Sequence, residues 1–161
     1  MSKFPFHLTA LARLTCFLLS EASSKSETVT GRCVGVQDGD SITVLTAGNV
    51  QYKVRLEGID APELKQPFSQ QSKEALSGLV FGKAVSLHVT GTDRFKRTLA
   101  MVMAEGLNVN IEMVRLGLAW RFDKYTKDVE LLAAQNAAKE ARRGLWSDPA
   151  PVPPWEWRAR K

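Results

Sequence analysis

Val50-Gln51-Tyr52-Lys53-Val54-Arg55-Leu56-Glu57-Gly58-Ile59-Asp60-Ala61-Pro62-Glu63 is the stretch on which the fold turns. It opens in alternation, with Tyr52, Val54 and Leu56 on one face and Gln51, Lys53 and Arg55 on the other. That is the period of a strand with one side against a core. The spacing predicts a strand over residues 50–59. It stops at Asp60-Ala61-Pro62-Glu63, because proline donates nothing to a ladder and restrains the residue before it.

Upstream, residues 29–36 and 41–46 read as two further strands, the second rich in β-branched side chains. Between them lies Gln37-Asp38-Gly39-Asp40, where Asp-Gly signals a hairpin. Ala47-Gly48-Asn49 makes a second turn, so three strands form a meander. Downstream the period becomes helical over 68–81, with Ala75, Leu76, Leu79 and Val80 on one face and Gly82 as the stop. Strands follow at 84–89 and 97–103, joined by the polar turn 91–96. A short helix is expected over 110–116 and an amphipathic one over 129–143, the latter carrying Leu131, Leu132, Ala134, Ala138 and Ala141. The expected class is α+β: a five-stranded OB-like β-barrel with about three α-helices.

The ends of the chain read differently. Residues 1–22 carry Lys3, His7 and Arg13 among apolar residues, with no acid before Glu21. They read as a signal peptide or an N-terminal anchor, although Arg13 interrupts the apolar run. Residues 23–28 are a polar linker, 29–147 the barrel domain, and 148–161 a Pro/Trp-rich tail expected to be extended, with Trp155 or Trp157 packing back. A secreted or periplasmic protein is expected, with a membrane-anchored or cytoplasmic one as the alternative.

The chain has 161 residues, 44% hydrophobic and 24% charged, which is the usage of one globular domain. Two cysteines, Cys16 and Cys33, cannot make a disulfide framework. With 22 basic against 17 acidic side chains the net charge is +5, which suits a polyanionic partner without requiring one. His7 and His88 are the only histidines, one in the N-terminal segment and one within a strand, which argues against histidine-based zinc or serine chemistry.

Charged residues gather instead where the chain reverses. Asp40 follows the first turn, Asp60 and Glu63 close the third strand, Arg55 lies on that strand and Arg97 opens the fifth. Two aspartates on adjacent strands can converge as hard oxygen ligands for Ca²⁺ or Mg²⁺, with main-chain carbonyls at 60–62 to complete the shell. Two arginines beside them suit phosphoryl transfer, because planar forks hold phosphate oxygens. Glu63 could position or deprotonate a water. Each element also has a plainer reading: a turn, a solvated strand residue, a helix start.

The chain resembles the staphylococcal-nuclease-like (thermonuclease) family. The resemblance rests on Asp38-Gly39-Asp40-Ser41, on residues 55–63, and on Asp93-Arg94-Phe95-Lys96-Arg97-Thr98-Leu99-Ala100. It continues in Asn110-Ile111-Glu112-Met113-Val114, Gly117-Leu118-Ala119-Trp120, Arg143-Gly144-Leu145-Trp146 and Pro153-Pro154-Trp155-Glu156-Trp157-Arg158. It implies an OB-fold barrel and Ca²⁺-dependent hydrolysis of DNA and RNA with little sequence specificity; no stable protein partner is implied, and a monomer is expected. It implies Asp40, Asp60 and the Ala61 carbonyl as metal ligands, Arg55 and Arg97 as phosphate-holding catalytic residues, and Glu63 as the general base. Phe95 stands where the family often has tyrosine and Lys96 where it often has glycine. Phe95 is expected to bind substrate. Trp120 and Phe122 fall where aromatic rings could stack on bases or could pack in the core. The alternative is a non-enzymatic nucleic-acid-binding module on the same barrel.

Overall fold

The computed structural model describes residues 27–160. The segment read as an export signal or anchor, with Cys16 and the linker as far as residue 26, lies outside the described residues. Among the described residues eight strands are formed: β1 Glu27–Val36, β2 Ser41–Leu45, β3 Gln51–Leu56, β4 Ile59–Asp60, β5 Ala84–Thr92, β6 Thr98–Ala104, β7 Leu107–Asn108 and β8 Trp120–Arg121. The helices are α1 Ser69–Val80, α2 Val109–Arg115, α3 Val129–Glu140 and α4 Pro154–Ala159, with a 3₁₀ turn over Gly144–Ser147.

The five long strands run in the order β3-β2-β1-β5-β6. Parallel pairing of β3 with β6, Val54 opposite Thr98 and Leu56 opposite Ala100, closes them into a mixed barrel. The expected α+β class and the five-stranded barrel are therefore present, with β1, β2 and β3 as the expected meander. The alternating faces of β3 are the physical reason. Val54 and Leu56 are buried while Gln51 and Lys53 are exposed. Inside, Ile42, Val44, Leu87 and Val102 meet Leu76 and Val80 of α1 and Met113 and Val114 of α2. Each such side chain contributes about 1.5–3 kcal/mol on burial.

Buried Asn110 joins α2 to the barrel. Its Oδ1 accepts from the Val102 N–H at 3.0 Å, and its Nδ2 donates to the carbonyls of Glu57 and Ala100 at 2.9 and 3.1 Å. Asp128 caps α3, accepting from the Glu130 and Leu131 N–H groups.

The expected hairpin at Asp38-Gly39 joins β1 to β2, with the Gln37 N–H donating to the Ser41 carbonyl at 2.9 Å. Glycine is needed there for space, because a Cβ would lie 1.8 Å from the Ser72 Oγ of α1. Two expectations need correction. The third strand does not run unbroken to Ile59. It turns at Glu57-Gly58, where Gly58 has φ +74°, and resumes as β4 against β8 instead of staying in the barrel. Second, the tail is not wholly extended. Pro154, at the first turn of α4, already has the φ a helix needs and lacks only an N–H that would have no partner there.

Candidate active site

The barrel brings the predicted charges to one place through strand register. Ser41 pairs with Arg55 across β2 and β3, and the Leu56 N–H donates to the Asp40 carbonyl at 2.8 Å. The turn at Gly58 then returns the chain so that Asp60 lies beside Asp40. Arg55 bridges the two acids: Nη1 is 3.1 Å from Asp40 Oδ2 and Nη2 is 3.0 Å from Asp60 Oδ1. The same Asp40 Oδ2 accepts the Ala61 N–H at 2.7 Å. On its other side Asp40 Oδ1 accepts from Ser41 Oγ at 3.1 Å, and Ser41 Oγ accepts from Arg97 Nη1 at 3.1 Å. Arg97 thus joins the cluster through one hydroxyl.

Arg97 is aimed by Asp93. The Asp93 Oδ1 accepts the N–H groups of Phe95 and Arg97 at 2.8 and 2.9 Å, while Oδ2 accepts Arg97 Nε at 2.8 Å. Partial burial opposes ionisation of Asp93. The Arg97 N–H and guanidinium and the Phe95 N–H outweigh it and hold the carboxyl below its ordinary value. Lys96 takes φ +62° in this turn, the left-handed conformation for which glycine is suited.

Glu63 follows the Ala61-Pro62 step on a loop. Its N–H donates to Gln66 Oε1 at 2.9 Å, and its carboxylate accepts from Arg158 Nη1 at 2.5 Å. Arg158 also gives Nη2 to Asp60 Oδ2 at 2.8 Å. Phe95 is exposed, its ring 4.7 Å from the Arg94 guanidinium and 5.6 Å from that of Arg97. Trp120 is half-buried, edge-on to Trp146 and Trp155 at 4.3 and 5.7 Å between centroids. Phe122 stacks face to face on Trp155 at 5.2 Å.

The donor chemistry fits a small hard cation. Asp40 is 5% exposed and Asp60 2%, so both carboxylates are in a site that strips water from them. Burial pushes Asp40 up to about 7 despite the pull of Arg55, with Asp38 and Asp60 adding to the rise. A positive charge beside it is worth far more there than in water. The donors are all oxygen, which suits Ca²⁺ or Mg²⁺ over softer metals. Among the described residues no group of three or more His, Cys, Asp or Glu forms a ready cage. Asp40 and Asp60 are the carboxylates that could hold such a cation.

Several residues of the cluster carry no expectation from the sequence. Asp93 lies four residues before Arg97 in the quoted motif, a legible signal for an ion pair across a turn. Ser41 follows Asp40 directly. Arg158 lies 98 residues from Asp60, and no local pattern ties it there.

A family model described as "Staphylococcal nuclease homologue" matches residues 53–148, a span that holds Arg55, Asp60, Glu63 and Arg97. The chain belongs to the staphylococcal nuclease family. It is 45% identical over 154 residues to an "Uncharacterized endonuclease" of Haemophilus influenzae, covering 96% of this chain and 85% of that protein. An "Uncharacterized endonuclease" of Escherichia coli O157:H7 is 46% identical over 132 residues, covering 81% and 86% of the two chains. A rice protein named "Probable staphylococcal-like nuclease CAN3" is 40% identical over 108 residues, covering 67% of this chain and 29% of its own. The staphylococcal nuclease family is one of phosphodiester-hydrolysing enzymes, and nucleic acid is the substrate that membership implies.

Proposed function

We propose that this nuclease depends on calcium and hydrolyses DNA and RNA with little sequence specificity. The observation that carries the reading is the convergence of Asp40, Asp60, Arg55, Arg97 and Glu63 at one end of the barrel. In this reading Asp40, Asp60 and the Ala61 carbonyl hold Ca²⁺, which supplies Lewis-acid charge neutralisation at the phosphodiester. Glu63 orients a water and takes its proton as the oxygen adds to phosphorus. Arg55 and Arg97 hold the phosphoryl oxygens and offset the charge that builds on them. The P–O5′ bond breaks, the 5′-oxygen takes up a proton, and the cut strand ends in a 3′-phosphate. Contacts to phosphate carry no base information, which accounts for breadth of substrate. Exposed Phe95, beside Arg97, supplies an apolar contact to the substrate, and Phe122 with the edge of Trp120 a face for bases.

Two carboxylates and a carbonyl make a site of low charge, for which half-saturation near 0.1–1 mM calcium is expected by comparison with low-charge sites of about 10⁻⁴ to 10⁻³ M. Such a site suits a calcium-rich compartment, in keeping with export directed by residues 1–22. N-terminal sequencing of the mature protein tests that part, and an intact Met1 on a cytosolic protein contradicts it. The reaction is tested by digesting single- and double-stranded DNA and RNA with calcium or a chelator. Cleavage of all three, abolished by the chelator, is expected; undiminished cleavage in chelator overturns the metal assignment.

A further inference from the structure

The polypeptide from residue 149 onward lies beyond the segment that the family model matches, yet three contacts tie it to the candidate site. The Val152 carbonyl accepts from Gln66 Nε2 at 2.7 Å, and the same buried Gln66 accepts the Glu63 N–H. The loop carrying Glu63 is therefore stapled to the tail. Trp155 lies flat on Phe122, with 1° between the ring planes. Arg158, on α4, spans two carboxylates with one guanidinium: Nη2 on Asp60 Oδ2 at 2.8 Å, and Nη1 on Glu63 Oε1 at 2.5 Å with a longer contact of 3.3 Å to Asp60 Oδ1.

Among the described residues Arg158 is the one side chain bonded to the Glu63 carboxylate. Glu63 is a third exposed and has three side-chain torsions to fix, so without a partner it samples many orientations. A planar fork can grip two carboxylates at once and set their spacing, which an ammonium cannot do.

We infer that Arg158 is a positioning residue of the nuclease site: α4 delivers it so that Glu63 is held beside Asp60 in the orientation from which it meets a water. This deepens the reaction proposed above and rests on it. Arg158 acts through Glu63. Its charge has a second, opposite effect. Arg158 is bonded to Asp60 and Glu63 beside Asp40, so neutralising it leaves the carboxylate cluster one unit more negative. Neutralising Arg158 therefore strengthens divalent-cation binding while releasing Glu63, a divergence that loss of mere structural support would not produce.

The test uses the full chain as wild type, Arg158→Gln, Arg158→Lys, Glu63→Gln and the Arg158→Gln/Glu63→Gln double variant. Calcium binding is read by calorimetry without substrate, and kcat and KM on single-stranded DNA at saturating calcium. Arg158→Gln is expected to bind calcium about three- to tenfold more tightly, from the removal of a nearby positive charge. Its kcat should fall about 10- to 100-fold with KM within about threefold, the scale of a misplaced catalytic group. Arg158→Lys should keep wild-type calcium affinity and recover only part of kcat, and it serves in the same comparison if the glutamine variant does not fold. In the Glu63→Gln background, Arg158→Gln should cost no further turnover. An equal loss in both backgrounds, unchanged kcat in Arg158→Gln, full recovery with lysine, or weaker calcium binding in Arg158→Gln overturns the inference. Wild type that cuts no nucleic acid refutes the nuclease reading instead. A double-mutant cycle on unfolding in chelator then decides the contact alone: coupling of about two- to fivefold in the unfolding constant upholds it, and additivity overturns it.

Discussion

Asp93→Asn isolates the aim of Arg97 from its charge. The asparagine carbonyl can still accept the N–H groups of Phe95 and Arg97, which preserves the turn. The substituted amide, however, presents an N–H to Arg97 Nε, where Asp93 Oδ2 now accepts at 2.8 Å. A charge-assisted bond is lost and two donors face each other. A hydrogen bond to a charged group is worth about 1.5–3 kcal/mol when buried. The Arg97 side chain is 29% exposed, and solvent reduces this toward about 1 kcal/mol. For a chain of this size that is a fall of about 2–4 °C in Tm. Turnover should suffer more, because rotating the guanidinium away from Ser41 moves its Nη atoms by roughly 1 Å or more, a displacement that can cost about 10²-fold. Since Asp93 is held below its ordinary value, its contribution to stability is full above about pH 4, the unfolded value, and is lost as pH falls through the lower folded value. The stability gap between wild type and Asp93→Asn should therefore close in acid. Steady-state hydrolysis and thermal unfolding at several pH values measure both effects. Wild-type kcat alongside the lowered Tm would refute the idea that Asp93 aims Arg97.

Arg55→Lys keeps the charge but cannot span Asp40 and Asp60 together, so kcat should drop at least about tenfold with a stability loss of about 1–3 kcal/mol; near-normal kinetics would exclude the bridging fork. Gly39→Ala drives a methyl into Ser72 Oγ, itself bonded to the Leu118 carbonyl at 2.6 Å, and should cost about 1–3 kcal/mol in chemical denaturation, with an unchanged midpoint counting against the close-approach argument. Lys96→Gly relieves a left-handed lysine whose strain of about 1–2 kcal/mol exceeds the entropy glycine adds to the unfolded chain, so Tm should rise slightly; a lower Tm would show that the lysine is held there by other contacts.

The barrel was legible because its strands obey a period of two and its turns carry Gly, Asn and Asp. Tyr52, Val54 and Leu56 announce their face without reference to anything distant. The break at Gly58 was hidden by the same pattern, since Ile59 continues the apolar alternation and only the backbone shows that the chain has left the barrel. The tail misled for a related reason. Four prolines over residues 149–154 suppress any helical reading, although Pro154 followed by Trp155-Glu156-Trp157-Arg158 is a valid helix start. Of the candidate site, the acids and arginines could be picked out by type and by their place at strand ends. Their mutual bonds could not. Arg55 to Asp60 is local, but Arg97 to Ser41 spans 56 residues and Arg158 to Asp60 spans 98. Such pairings follow from barrel closure and from docking of the last helix, neither of which leaves a periodic trace.

The most direct measurement is kcat of Glu63→Gln against wild type on single-stranded DNA at saturating calcium, with Tm recorded for both. Glutamine fills nearly the same space and can still accept one bond from Arg158, but it cannot take a proton from water. Turnover lower by about 10²- to 10⁴-fold, with Tm within a few degrees, is the predicted result. Turnover within twofold of wild type would contradict the account, because water would then be activated somewhere other than at Glu63.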